Sequence, residues 1–346
     1  MRQHPDWFTA GGGACTDWME NWPLMIQNKI PPMPVWPYTV VAGDSLAPLE
    51  WHARELVETR RNIGWDGVRY DSYSAIAEAN IKATKIVRDL VARQEPGFRW
   101  GYNSSVPKDV QSESLDIMCR GGQMVMEEGL RHAAMAPTSF ATYLATLAGY
   151  RDTVWQHDGH LGLCYDAPGG LRNGTLLDQV YLCCCLLAAG CHPYYLRMDR
   201  VMGDFPGFAL RYGEFLYDNK MRPLPEPAKI VTFGGNPPWF QWERLAKQAD
   251  LGHGRRRLVL HLINPPADDL TLHNETMATR SPLRNVPVAI TLRSGAKEVA
   301  AWTLCPIPTA HHVPLTVQMD GDHATLALSE IRFWTVLVVE FAEVDR

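Results

Sequence analysis

The chain has 346 residues, 46% of them hydrophobic and 21% charged, with a formal net charge of −5. That composition is ordinary for a globular protein, and the length suits one large domain plus a small one, or two of medium size. It carries neither a basic stripe nor a Lys/Arg-rich run, which argues against a nucleic-acid partner.

Residues 1–50 are rich in Gly, Pro and Trp and read as irregular, with one short strand candidate in YTVVAG. The opening MRQHPDWFTAGGG lacks the apolar core of a signal peptide. The expectation is a cytoplasmic protein, or a secreted one if the natural N-terminus lies upstream. From residue 49 to 62 the period turns helical, with Trp51, Ala53, Leu56 and Val57 on one face. IGWDGVRYD follows as a strand, and residues 74–93 as a helix with Ile81, Ile86, Val87, Leu90 and Val91 as its stripe. FRWGYN and QMVMEE are the next strands, TSFATYLATLAGYRDTV a helix, and HLGLCYD a strand ending at Asp166.

TLLDQVYLCCCLLAAG is a buried helix that Gly190 ends, HPYYL a strand, and residues 207–219 an amphipathic helix. The apolar run at 180–189 is too short to span a bilayer, so no membrane partner is expected. Three of the eight cysteines, Cys183, Cys184 and Cys185, are consecutive in it. Consecutive helical side chains point in different directions, so they read as small buried apolar thiols in a reducing compartment.

Strand and helix thus alternate at least four times. This predicts an α/β fold with parallel strands and helical crossovers, of the (β/α) barrel type. After about Pro237 the texture changes to short β-type runs: RLVLHLIN, VPVAITL, EVAAWTL, VPLTVQM, HATLAL and FWTVLVVEF. They predict an all-β sandwich. The expected domains are a barrel over residues 1–245 and a sandwich over 255–346, with the boundary near GHGRRR.

Several predicted strands end in a polar residue: Asp71, Asn103, Glu127 or Glu128, and Asp166. On a barrel, the C-terminal strand ends line one mouth. Glycoside hydrolysis needs two carboxyl groups there, about 5–5.5 Å apart in a retaining enzyme. Arg69, two residues before Asp71, shares its strand face and would keep that carboxylate ionised, which suits a nucleophile. Met124, Val125 and Met126 give the glutamates a drier setting, which suits a proton donor. Each residue also has a plainer reading. Asp71 before Ser72 is a good helix cap, and Glu127 and Glu128 fit the first turn of a helix. His157, Asp158 and His160 in HDGH offer the spacing of a metal site, but no second ligand cluster supports one. No cofactor is called for. His192 is placed near the mouth or among backbone groups. Trp65, Tyr70, Tyr102 and Trp155 are candidates for sugar stacking or for the core.

GWDGVRYD resembles the fourth-strand motif of retaining glycoside hydrolases with (β/α)8 barrels, in which Arg-x-Asp leads to the nucleophile, as in the α-amylase superfamily. The layout is more similar to the dextranase and cycloisomaltooligosaccharide glucanotransferase family. There a fourth-strand Asp is followed by a fifth strand ending in Asn and a sixth-strand Glu, and then by a β-sandwich opening with a strand like LHLIN. The resemblance implies an oligo- or polysaccharide substrate, with Asp71 as nucleophile and Arg69 beside it. Asn103 becomes a substrate contact and Glu128 the acid/base, with Glu127 as the substitute. Tyr70, Trp65, Asp166 and His192 complete the proposed binding set. The alternative is a catalytically inactive carbohydrate-binding or scaffold protein on the same fold. Three βα units of about 30 residues each should precede a fourth strand, and only 63 residues precede Gly64. The expectation is a barrel lacking its first strands, which would expose apolar surface and favour self-association.

Overall fold

The computed structural model describes residues 46–70, 78–103, 112–127, 138–164, 176–194, 202–218, 220–235, 241–267, 271–272, 279–292 and 295–343. The YTVVAG strand, Asp71, Glu128 and Asp166 lie outside them. The chain divides into two compact units with the boundary after Asn103.

In the first unit, helix α1 (Ala47–Ile63) starts with Pro in its first turn. It buries Leu49, Ala53 and Val57 at helical spacing. Gly64, in the left-handed region at φ 83°, ends it, and its N–H donates to the Arg60 carbonyl. Strand β1 (Gly67–Tyr70) pairs in parallel with β2 (Arg99–Asn103), with Arg69 opposite Gly101 and Tyr70 opposite Tyr102. Helix α2 (Glu78–Ala92) forms the crossover between them and buries Ile81, Thr84, Val87 and Val91. Gly67 has to be glycine, because a Cβ there would lie 2.0 Å from the Arg99 carbonyl oxygen.

The second unit continues the alternation. Helix α3 (Ser112–Cys119), which the sequence reading did not resolve, leads into β3 (Met124–Glu127). Helix α4 (Phe140–Gln156) is capped by Ser139, whose Oγ accepts from the Thr142 N–H at 3.1 Å. Strand β4 (His160–Cys164), helix α5 (Leu176–Ala189) and strand β5 (His192–Tyr194) follow. β3, β4 and β5 are parallel neighbours, with Met126 opposite Gly162 and Gly162 opposite His192. All three consecutive cysteines are buried in α5. Gly190 then turns the chain at φ 79°, where a Cβ would sit 2.8 Å from the Leu216 carbonyl oxygen.

The helix expected over 207–219 is shorter. Helix α6 (Phe205–Arg211), capped by Asp204 through the Gly207 N–H, stops at Tyr212. A 3₁₀ turn, Gly213–Phe215, replaces the remainder. Gly213 is a poor helix former. The turn also lets Tyr212, Phe215 and Leu216 all be buried beside Phe208.

The rest of the unit is mainly β, with a helical turn at Pro227–Ile230 and a 3₁₀ turn at Trp242–Arg244. One antiparallel sheet contains β6 (Arg222–Pro223), β8 (Lys247–Gly252), β9 (Arg255–Ile263), β11 (Lys297–Cys305), β12 (His311–Leu315) and β15 (Trp334–Ala342), in the order β12-β11-β15-β9-β8-β6. The other contains β7 (Val231–Phe233), β10 (Leu283–Thr291), β13 (Gln318–Asp320) and β14 (His323–Ile331), in the order β13-β14-β10-β7. Leu258, Leu260 and Leu262 of β9 share one apolar core with Val288 and Ile290 of β10, Leu326 and Leu328 of β14, and Leu337 and Val339 of β15. These are alternate positions along each strand and so share one sheet face; Val259 and His261 of β9 and Val336 and Val338 of β15, on the other face, are buried as well. GHGR is a tight turn between β8 and β9, with His253 and Gly254 both at positive φ. The run VPLTVQM is not one strand. It crosses from β12 in one sheet to β13 in the other, and Val317 packs on the shared core at the crossing.

Candidate functional site

In the first unit, β1 delivers Arg69 and Tyr70 next to sequence position 71. Alternation along the strand sends these two side chains to opposite faces. Tyr70 turns toward α1: its hydroxyl lies 2.8 Å from His52 Nε2, and its ring stacks near Trp100 and Tyr102, with centroids 6.0 and 5.8 Å away. Burial lowers the His52 pKa, so the ring is neutral at pH 7 and suited to this bond. Arg69 lies opposite Gly101, where an added Cβ would meet the arginine stem at 3.6 Å, an ordinary contact. Asn103 is buried at the C-terminal end of β2. Trp65 is 57% exposed but precedes β1, at the opposite end of the strand from Tyr70. Tyr102, considered for sugar stacking, is fully buried and belongs to the core.

In the second unit, Glu127 is the last residue of β3. Val125 and Met126 before it are buried. Asp71, Glu128 and Asp166 lie outside the described residues. His192 is the first residue of β5. Its ring stacks on Tyr217 with centroids 3.8 Å apart and meets His160 edge-on at 5.6 Å. Burial, and secondarily His160, hold its pKa down at about 4. Trp155, the other stacking candidate, is buried, with the Arg151 guanidinium 5.2 Å and the Lys247 amine 5.0 Å from its ring centroid.

The HDGH segment secures a turn. His157 Nδ1 lies 2.7 Å from Asp116 Oδ1. Asp158, at φ 62°, accepts from the Gly121 N–H through its side chain and from the Gly122 N–H through its carbonyl. Among the described residues, no group of three or more His, Cys, Asp or Glu is placed to hold a metal ion.

Sequence reading missed Lys247. It is fully buried, donates to the Leu216 carbonyl at 3.3 Å, and its pKa is driven well down by burial and then by Arg151. Nothing in KQADLG signals this, because the partners come from distant parts of the chain.

No protein-family model matches the chain, and no curated protein matches it. Solved structures do. The fold is similar to that of a cycloisomaltooligosaccharide glucanotransferase from Paenibacillus sp., complexed with cycloisomaltoheptaose. The two share 8% identity at a TM-score of 0.57, over 84% of this chain and 65% of that one. A GH27 β-L-arabinopyranosidase from Geobacillus stearothermophilus is matched at 9% identity and a TM-score of 0.44, over 85% of this chain and 62% of that one. The likeness defines a fold class: this is a mixed α/β chain, with a parallel sheet and antiparallel sheets, whose fold is similar to that of the glucanotransferase. The chain spans 65% of the length of the glucanotransferase.

Proposed function

We propose that the chain acts on glycosidic bonds of an oligo- or polysaccharide, as a retaining hydrolase or transglycosylase on a (β/α)-barrel scaffold followed by a β-sandwich. Asp71 attacks the anomeric carbon, and Arg69 keeps its carboxylate ionised. Glu128, or Glu127 in its place, protonates the leaving oxygen and then activates water or an acceptor sugar. Asn103 holds a substrate hydroxyl. The observation that carries this reading is the fold likeness to the glucanotransferase over 84% of the chain. The sequence motifs point independently to the same enzyme class. In further support, β1, β2 and β3 end at Tyr70, Asn103 and Glu127, so that polar positions 71, 103 and 127 stand at or just past their C-terminal ends. C-terminal strand ends are where barrel enzymes keep their chemistry.

A panel of soluble glucans, xylans, arabinans and their oligosaccharides tests it, with proton NMR following the anomer released first. The expected result is release of the retained anomer by wild type and its loss in Asp71→Asn. Equal turnover in both proteins ends the assignment of Asp71. An inverted first product ends the retaining mechanism.

A further inference from the structure

Within the second unit, the middle strands of the six-stranded sheet are buried on both faces, and the two faces meet different neighbours. Leu258, Leu260 and Leu262 of β9 point into the core between the sheets. Val259, His261 and Ile263 alternate with them and point away from it, on the side where α5 packs. Register completes this second face. Lys247 of β8 is opposite Val259, and Val336 and Trp334 of β15 are opposite His261 and Ile263. Helix α4 reaches the same seam, with the Trp155 ring centroid 5.0 Å from Lys247 Nζ and 5.2 Å from the Arg151 guanidinium. A Cβ on Gly190 would lie 3.2 Å from Lys247 Nζ, which places the neighbouring Cys191 at the seam too.

The charges at this seam are of one sign. His261 is fully buried, its ring lies parallel to that of Trp334 with centroids 5.9 Å apart, and neither ring nitrogen has a hydrogen-bond partner among the described residues. Lys247 from β8 and Arg151 from α4 act on it as cations. Helix α5 brings Tyr181 and the buried Cys183 and Cys184, all neutral below pH 7 because burial raises their pKa values. After α5, His192 is turned onto Tyr217. On β15, Glu340 is held by Arg255 and Arg257, and in the turn before β8 Glu243 and Arg244 are exposed. The described carboxylate that acts on Lys247 is Asp152, which Arg151 already binds at 2.7 Å. A proton on His261 would therefore set a further cation beside Lys247 and Arg151, with no acceptor for either ring N–H.

We propose that this seam is an acid-sensitive latch: when His261 takes up a proton, the six-stranded sheet loosens from α4 and α5 while the core between the two sheets holds. Burial, and then Lys247 and Arg151, hold the His261 pKa well below 6.5 in the closed seam. In an open seam water reaches the ring and its ordinary value near 6.5 returns. The closed form is therefore favoured above that pH and loses ground as pH falls through it. The opening is local because Leu258, Leu260 and Leu262 keep their partners on the opposite face of the sheet. The latch does not depend on the reaction proposed above.

The test is labelling of Cys191, fully buried in the closed seam, with dithiodipyridine on the full chain at pH 7 and pH 5. Rates are divided by those of free cysteine at each pH, and the labelled site is located by fragment mass spectrometry. A ring that is neutral when closed and titrates near 6.5 when open raises the opening constant about 20-fold between these pH values. The acceleration in wild type should therefore exceed that in His261→Phe by about 20-fold. Phe keeps a flat ring against Trp334, and His192 and Lys247 remain in both proteins, so the difference isolates His261. His261→Leu carries the same expectation and replaces the Phe variant if that one does not fold. Far-UV circular dichroism should keep its β signal at pH 5. Labelling no faster at pH 5, or equally accelerated in the variant, overturns the proposal. So does loss of the β signal in step with labelling, which is global unfolding.

Discussion

Replacing His192 by Phe should make the fold less sensitive to acid. In the folded chain, burial and then the neighbouring His160 bring the His192 pKa from 6.5 to about 4. Between those values the unfolded chain holds a proton at this position and the folded chain does not. Stability is therefore lost as pH falls below 6.5 and the loss saturates near pH 4. At 1.36 kcal/mol per unit the full shift is worth roughly 3 kcal/mol, of which about 2–3 kcal/mol is realised by pH 4.5. Phe keeps a flat ring against Tyr217, where the present stack is 3.8 Å between centroids, and removes the proton. His52 and His261 are also shifted down by burial, but they remain in both proteins, so the difference isolates His192. Urea unfolding at pH 7.0 and 4.5, followed by tryptophan fluorescence, measures it. Wild type should lose about 2–3 kcal/mol more than the variant on acidification. An equal loss in both proteins would refute the assignment of a buried, neutral ring at this position.

Three further outcomes follow from named contacts. Gly190→Ala should destabilise by about 2 kcal/mol or more in thermal melts, because it combines positive φ with a Cβ 2.8 Å from the Leu216 carbonyl oxygen. Lys247→Met should leave stability at pH 7 unchanged or higher, since it fills the same space without a buried amine. The gain in stability on raising the pH toward 10.5, where the unfolded lysine also loses its proton, should shrink with it. Tyr70→Phe should cost about 0.5–1.5 kcal/mol through loss of the His52 bond and should leave turnover nearly intact, because this side chain faces α1.

How much of this was legible in the sequence depended on whether a segment's environment was local. The spacing of Ala53 and Val57, and of Ile81, Val87 and Val91, placed α1 and α2 within a few residues, because an amphipathic stripe needs only one flat neighbour. The β-type run RLVLHLIN placed β9, a strand buried on both faces. Strand β8 was invisible: KQADLG has little β character, and it pairs there because Lys247 finds the Trp155 ring and the Leu216 carbonyl in distant segments. The crossing inside VPLTVQM was hidden because both halves read as strand, and only the two-sheet core shows where the chain changes layer. At the candidate site, β2 ends at the expected Asn103, while β1 ends at Tyr70 and β3 at Glu127, each one residue short of the Asp71 and Glu128 that the sequence reading favoured. The period of two along β1 also contained the information that Tyr70 and Arg69 face opposite sides, which separates the His52 anchor from the arginine beside the proposed nucleophile. The seam at His261 could not be read in advance, since Arg151, Lys247 and His261 come from three separate elements.

The central claim is that Asp71 forms a covalent bond to the sugar. Incubation with activated 2-deoxy-2-fluoro glycosides matching the sugar that the chain cleaves, followed by intact-mass and peptide analysis, tests it most directly. The account predicts a single fluorosugar on the peptide containing Asp71, absent from Asp71→Asn. Normal turnover with no adduct, or an adduct on a different carboxylate, would contradict it.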